Sequence, residues 1–96
     1  MAYDPGAIDA TLAAAVGDEP SLIAELRGAF VDSAERAIVA IESAKTDEDW
    51  ALAASRLKGL AASFGAVRLM GLAAETAATP GNIDALRTLR RAVARL

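Results

Sequence analysis

The chain has 96 residues with no cysteine and no histidine, a hydrophobic fraction of 54% and a formal net charge of −3. These values are typical of one globular domain, and they exclude a disulfide framework, a thiolate metal site and the commonest general base. No basic N-terminal segment precedes an apolar run, and no apolar run approaches the roughly 18 residues that a membrane span needs. We therefore expect residues 1–96 to form a single soluble, cytoplasmic domain that does not associate with a membrane.

The charges are unevenly distributed along the chain. Residues 1–49 hold 11 acidic and 3 basic residues, whereas residues 50–96 hold 2 acidic and 7 basic residues. Such an asymmetry indicates either a charged binding face or acidic and basic helices that lie side by side. We favour the second interpretation for the chain as a whole.

Two helices are predicted in the first half of the chain. Ala7 to Val16 forms a short one that ends at Gly17, and Asp18-Glu19-Pro20 then places acids and a proline at the start of the next. The second helix is predicted from about Pro20 to Ala44. Its apolar residues recur at helical spacing and are Ile23, Leu26, Phe30, Ala34, Ile38 and Ile41.

The third helix begins in an acidic segment. Thr46 or Asp47 can cap it, and the acidic run Asp47 to Asp49 suits the positive end of a helix. The core stripe of this helix is Trp50, Ala54, Leu57, Ala61 and Phe64, which fall within about 80° of arc. Gly65-Ala66 is expected to break or bend the chain after it.

Two further helices complete the chain. The fourth ends before Pro80-Gly81, and Asn82 is expected to cap the fifth. The residues that fit the fourth helix are Val67, Met70, Leu72, Ala73 and Ala77; the apolar stripe of the fifth is Ile83, Leu86, Leu89, Val93 and Leu96. Because short loops join long amphipathic helices, we predict an all-α, antiparallel four-helix bundle with a short extra N-terminal helix that caps one end.

The side of the third helix opposite its core stripe has almost no side chains. Its residues are Ala51, Ser55, Gly59, Ala62 and Ala66, with Lys58 at the flank. A glycine inside a helix costs about 0.5–1 kcal/mol relative to alanine, so Gly59 requires a packing or a functional reason. Small residues here allow a neighbouring helix of the same domain, or a partner protein, to approach closely.

Ser55-Arg56-Leu57-Lys58-Gly59, followed by Gly65 and Leu69, resembles the signature of histidine-containing phosphotransfer (HPt) domains. That signature is His-x-Leu-Lys-Gly, five residues, then glycine, with a leucine soon after. Ser55 stands at the position of the histidine. The segment FVDSAERAIVAIESAKTDEDWALAASRLKG also resembles the family's approach to its site, and the likeness extends over most of the chain.

The resemblance implies a surface that docks receiver domains. In the family, a phosphoryl group passes between a receiver aspartate and an exposed imidazole. Lys58 would offset phosphate charge, and Gly59 would leave room for the docking receiver. A serine hydroxyl is a weak nucleophile without a base to activate it, and the chain contains no histidine for that role. Reversible phosphotransfer through Ser55 is therefore not expected.

We accordingly predict a pseudo-HPt protein of bacterial two-component signalling, which binds a receiver domain or a histidine kinase without carrying phosphate. It is not expected to be an enzyme or to hold a cofactor or a metal. Arg56, Lys58 and Arg68 would form a positive rim, although ordinary surface charge also explains them. The residues predicted to contact the partner are Ala51, Ser55, Arg56, Lys58, Gly59, Ala62, Ser63 and Arg68.

Two alternatives remain open at the level of sequence. In the first, the chain is an authentic phosphotransfer protein in which serine, natural or engineered, replaces the histidine. In the second, it is a homodimeric helical scaffold that pairs through the small-residue face.

Two other charged groups offer weaker interpretations. The consecutive acids Asp47 to Asp49 point in different directions on a helix and do not form a metal site. Four arginines near the C-terminus resemble a nucleic-acid patch, but favourable charge at a helix C-terminus and pairing with the acidic half explain them better, so no nucleic-acid partner is predicted. These arginines are Arg87, Arg90, Arg91 and Arg95.

Overall fold

A computed structural model describes residues 5–17 and 19–96, which form five α-helices and no strand. The helices are α1 (Pro5–Val16), α2 (Pro20–Glu42), α3 (Asp47–Ser63), α4 (Val67–Ala78) and α5 (Ile83–Ala94). The prediction of an all-α protein is confirmed for this part of the chain. Asp18, predicted to help start the second helix, lies outside the described residues.

Local signals set the starts of α3 and α5. The side chain of Thr46 accepts a hydrogen bond of 3.0 Å from the backbone N–H of Asp49, and that of Asn82 accepts one of 3.1 Å from Ala85. Each bond satisfies a backbone donor that has no partner within its helix. Both predicted caps are therefore confirmed, with Thr46 rather than Asp47 as the cap of α3.

The second helix is two residues shorter than predicted. It ends at Glu42 instead of Ala44, because its final turn tightens: the N–H of Ala44 bonds to the carbonyl oxygen of Ile41, three residues back. Such a tightened turn is a common way for a helix to satisfy its last carbonyl groups. The first helix also differs from its predicted bounds: α1 begins at Pro5 rather than Ala7, which agrees with the preference of proline for the first helical position.

The contacts between helices connect α2, α3, α4 and α5 in a closed ring. Helix α3 packs against α2 and most extensively against α4, while α5 packs against α4 and α2. The first helix packs against α2. Over residues 5–17 and 19–96, no helix combines the length and the apolar character that crossing a bilayer requires.

One apolar core joins all five helices. Trp50, Ala54, Leu57 and Ala61 of the predicted α3 stripe are buried, whereas Phe64 is partly buried and stacks on Phe30 of α2 with ring centroids 4.6 Å apart. The other buried apolar residues of the predicted stripes are Phe30, Ala34, Ile38 and Ile41 of α2, Ala73 of α4, and Leu86, Leu89 and Val93 of α5. Burial of such side chains supplies the main driving force for folding.

The structure corrects the predicted stripes near the starts of α4 and α5. Val67 belongs to α4 but is 70% exposed, and the fully buried position two residues later is taken by Leu69. Two residues correspond to about 200° around a helix, so these two side chains necessarily face opposite sides. Ile83, predicted as part of the α5 stripe, is 56% exposed in the first turn of that helix.

Candidate functional site

The side of α3 that faces away from the core is open to solvent and carries mostly small residues. We call it the α3 face; its residues are Ala51, Leu52, Ser55, Gly59, Ala62 and Ser63. All of them are exposed except Ala51, which is partly buried. Gly59 lies two residues beyond the fully buried Leu57, about 200° around the helix, so the face is directed away from the domain.

Gly59 has no packing role within the described domain. It is exposed, and a methyl group added at its Cα would meet no atom within 4 Å. Close approach of a neighbouring helix therefore does not account for it. Its carbonyl oxygen accepts a hydrogen bond of 3.1 Å from the Ser63 hydroxyl, which is a contact that any residue at this position would allow.

Gly65, the second glycine of the signature, is explained by the fold. Its φ of 72° lies in the left-handed region, which side chains other than glycine rarely adopt. Its N–H bonds to the carbonyl of Ala62 at 3.2 Å, and the N–H of Ala66 bonds to that of Ala61 at 2.9 Å. This pair of bonds is the Schellman motif, which ends α3 after Ser63. Gly65 therefore stops the helix.

The same turn removes Ala66 from the α3 face. Ala66 was predicted to continue the small-residue face, but it is only 2% exposed. The left-handed conformation of Gly65 reverses the chain, so Ala66 no longer follows the helical rotation of α3 and points into the core.

Ser55 lies exposed on the α3 face one turn before Gly59. Among the described residues, nothing forms a hydrogen bond with its hydroxyl group, and the sequence holds no histidine that could activate it. Nucleophilic serines normally depend on an adjacent base. The geometry at Ser55 is that of an accessible surface hydroxyl.

An exposed leucine on the α3 face was missed by the sequence argument. Leu52 is 52% exposed and lies one turn before Ser55. Its spacing in the sequence predicts this exposure, because Leu52 follows the buried Trp50 by two residues and hence lies about 200° from it around the helix. The face therefore contains one large apolar side chain among small ones.

Two basic residues flank the α3 face. Arg56 and Lys58 are both exposed, and within residues 5–17 and 19–96 neither forms an ion pair. They follow each other by two residues and therefore lie on opposite edges of the face. At the start of α3, the acids Asp47 to Asp49 are exposed in the first turn, next to the capping Thr46.

Arg68 is exposed in the first turn of α4. It lines a groove between α4 and α5 together with Arg91 and Arg95, and no α3 residue lines this groove. Arg68 thus shares this groove with two arginines from the C-terminal end of the chain. No cluster of three or more acidic residues suited to a metal ion is found in the described part of the chain.

Comparisons with known proteins identify no relative from which a function could be inferred. No family model matches the chain, and neither a curated protein nor a solved structure matches it with significance.

Proposed function

We propose that this chain is a helical bundle of the HPt type that docks a receiver domain, or a histidine kinase, through the α3 face without carrying phosphate. In this proposal α2 to α5 form the antiparallel four-helix bundle and α1 is the extra N-terminal helix. The closed ring of neighbours, α2–α3–α4–α5, supports this arrangement.

The observation that carries the proposal is the position of Gly59, exposed on α3 one turn after the exposed Ser55. The fold accounts for Gly65 but not for Gly59, where an added methyl group would meet no neighbouring element within 4 Å and alanine would favour the helix. Glycine at this position destabilises the helix and allows no closer packing inside the domain. Such a glycine is consistent with a surface that a partner protein approaches closely. Gly59 stands one turn after Ser55, at the place where the signature requires it.

Charge and apolar content support a protein partner. Lys58 and Arg56 flank the α3 face and suit an acidic pocket such as a receiver's phosphorylation site. Leu52 supplies an apolar anchor next to Ser55. Serine in place of the histidine removes phosphotransfer and leaves the other features of a docking surface in place.

The proposal is tested by NMR titration of the ¹⁵N-labelled chain with receiver domains and histidine kinase domains from the same genome. We expect shifts concentrated in α3, around Ala51 to Ser63. Replacement of Gly59 by leucine places a side chain on the face and is expected to weaken binding about tenfold or more, since a misfit at an interface centre costs over 1 kcal/mol.

Gly28 offers a matched control. It is also an exposed helical glycine with no atom within 4 Å of an added methyl group, but it lies in α2. Gly28→Leu should bind a receiver as the unmodified chain does. Equal loss from both variants, or the absence of shifts with every partner at about millimolar concentration, would reject the docking proposal.

The homodimeric scaffold is separated from receiver docking by light scattering. A mass that doubles with concentration in the unmodified chain, and stays monomeric in Gly59→Leu, would assign the α3 face to self-association. A concentration-independent monomer mass would leave the face available to a different protein.

A further inference from the structure

The structure sorts the arginines of α5 into two groups. Arg87 forms an ion pair with Asp84 at 3.1 Å, and Arg90 forms one with Glu42 of α2 at 2.8 Å. Arg91 and Arg95 form no ion pair with any described residue. The expected pairing with the acidic half of the chain is thus confirmed for Arg90. Arg91 and Arg95 line a groove instead.

Arg91 and Arg95 meet Arg68 of α4 in one groove of about 200 Å³. We call it the arginine groove; its residues are Arg68, Leu72, Thr88, Arg91, Ala92 and Arg95. The α5 residues follow the spacing i, i+3, i+4, i+7, which places them in one stripe along the helix. Leu72 and Ala92 add apolar side chains to the lining.

The positive charge of the arginine groove is not neutralised by nearby carboxylates of its own helices. The acids of α4 and α5 are Glu75 and Asp84, each seven residues from the closest groove arginine, or about 10 Å along the helix axis. That separation is comparable to the Debye length at physiological salt, and Asp84 is already engaged by Arg87. Three like charges therefore line one groove in a chain whose net charge is negative.

We propose that the arginine groove binds a phosphate monoester group. Guanidinium groups present paired N–H donors that match phosphate oxygens, and arginine is the usual residue where such recognition is required. The Thr88 hydroxyl donates to the carbonyl oxygen of Asp84 at 3.1 Å, so the arginines supply the donors. No side chain caps the N-terminus of α4, whose first turn contains Arg68, and its positive dipole end adds to the attraction.

The groove favours a single phosphate group over nucleic acid. A polyanion requires basic residues that extend along its backbone, whereas Arg87 and Arg90 are paired with acids and the chain as a whole is negative. The remaining three arginines line one groove instead of a track along the surface. The group can belong to a small phosphorylated metabolite or to a phosphorylated side chain of a partner protein.

The test is an NMR titration that follows backbone amides and arginine side-chain N–H groups. The probes are inorganic phosphate, ribose 5-phosphate and a neutral peptide with one phosphoserine, with sodium chloride at matched ionic strength as the reference. We expect shifts confined to the arginine groove and absent with chloride. Tighter binding of ribose 5-phosphate would identify a metabolite as the source of the group, and tighter binding of the peptide would identify a protein.

Matched variants make the result decisive. Arg91→Gln should weaken phosphate binding about tenfold, as expected for the loss of a charge-assisted contact, whereas Arg87→Gln on the same helix should change it less than about twofold. Circular dichroism will check that both variants fold. Equal loss in the two variants, equal shifts with chloride, or tighter binding of single-stranded DNA that depends on Arg87 would overturn the proposal. Because no α3 residue lines the groove, this result is independent of receiver docking.

Discussion

The indole Nε1 of Trp50 donates a hydrogen bond of 2.7 Å to the backbone carbonyl oxygen of Thr76. This bond joins the first turn of α3 to the end of α4. The carbonyl is accessible because the residue four positions later is Pro80, which has no N–H to donate, and only the longer bond of 3.2 Å from Thr79 reaches the same oxygen. Trp50 thus anchors the helix that presents Ser55 and Gly59.

Replacing Trp50 by phenylalanine should therefore destabilise the domain while keeping an aromatic ring in the core. We expect a loss of about 1–3 kcal/mol in the free energy of unfolding, because a buried carbonyl loses its shorter partner and the smaller ring leaves a gap. Urea denaturation followed by circular dichroism measures it. An unchanged midpoint would show that the bond from Thr79 alone satisfies this carbonyl.

Gly65→Ala should also be destabilising, by about 1–2 kcal/mol, since alanine must then adopt the left-handed conformation that ends α3. Thermal unfolding measures the effect. An asparagine at this position tolerates the conformation better, so Gly65→Asn should lose less than Gly65→Ala. Equal stability of all three proteins would contradict the assignment of Gly65 as the helix stop.

Gly59→Ala should have the opposite sign. Open space surrounds the added methyl group, and alanine favours the helix by about 0.5–1 kcal/mol, so the free domain should become more stable. The same denaturation experiment gives the value, with Gly28→Ala as a reference for an exposed helical glycine elsewhere. A loss of stability would place Gly59 in a packing role that the structure does not contain.

Removal of the Thr46 cap should loosen the start of α3. Thr46→Ala leaves the N–H of Asp49 without its acceptor, and we expect a cost of about 1 kcal/mol. Thr46→Ser retains the hydroxyl oxygen and serves as the control. Amide hydrogen exchange over the first turn of α3 should accelerate in the alanine variant and not in the serine variant.

Ser55→His tests whether the rest of a phosphotransfer site survives around the α3 face. The imidazole would be exposed one turn before Gly59, beside Lys58. If the proposed relationship to HPt proteins is correct, this variant should accept a labelled phosphoryl group from a phosphorylated receiver, while the unmodified chain and Ser55→Ala should not. Docking of the variant without labelling would mean that the face has lost more than its histidine.

The sequence was sufficient for features that depend on residues within one helical turn. The sequence predicts the cap at Asn82, narrows the cap of α3 to Thr46 or Asp47, and predicts the start of α2 near Pro20 and the core stripe from Trp50 to Ala61. Capping bonds and helical periodicity act over only three or four positions. The resemblance at Ser55 to Gly59 also identified which helix carries the candidate site.

Only the packing of the helices distinguished the roles of similar residues. The sequence predicts the helix stop at Gly65, but only the tertiary structure leaves Gly59 on an open surface. It likewise turns Ala66 inward and brings Arg68 to the arginines of α5. Ala66 turns inward because Gly65 reverses the chain, whereas the exposure of Gly59 and the position of Arg68 depend on how each helix is rotated against its neighbours. That rotation results from burial across the whole core.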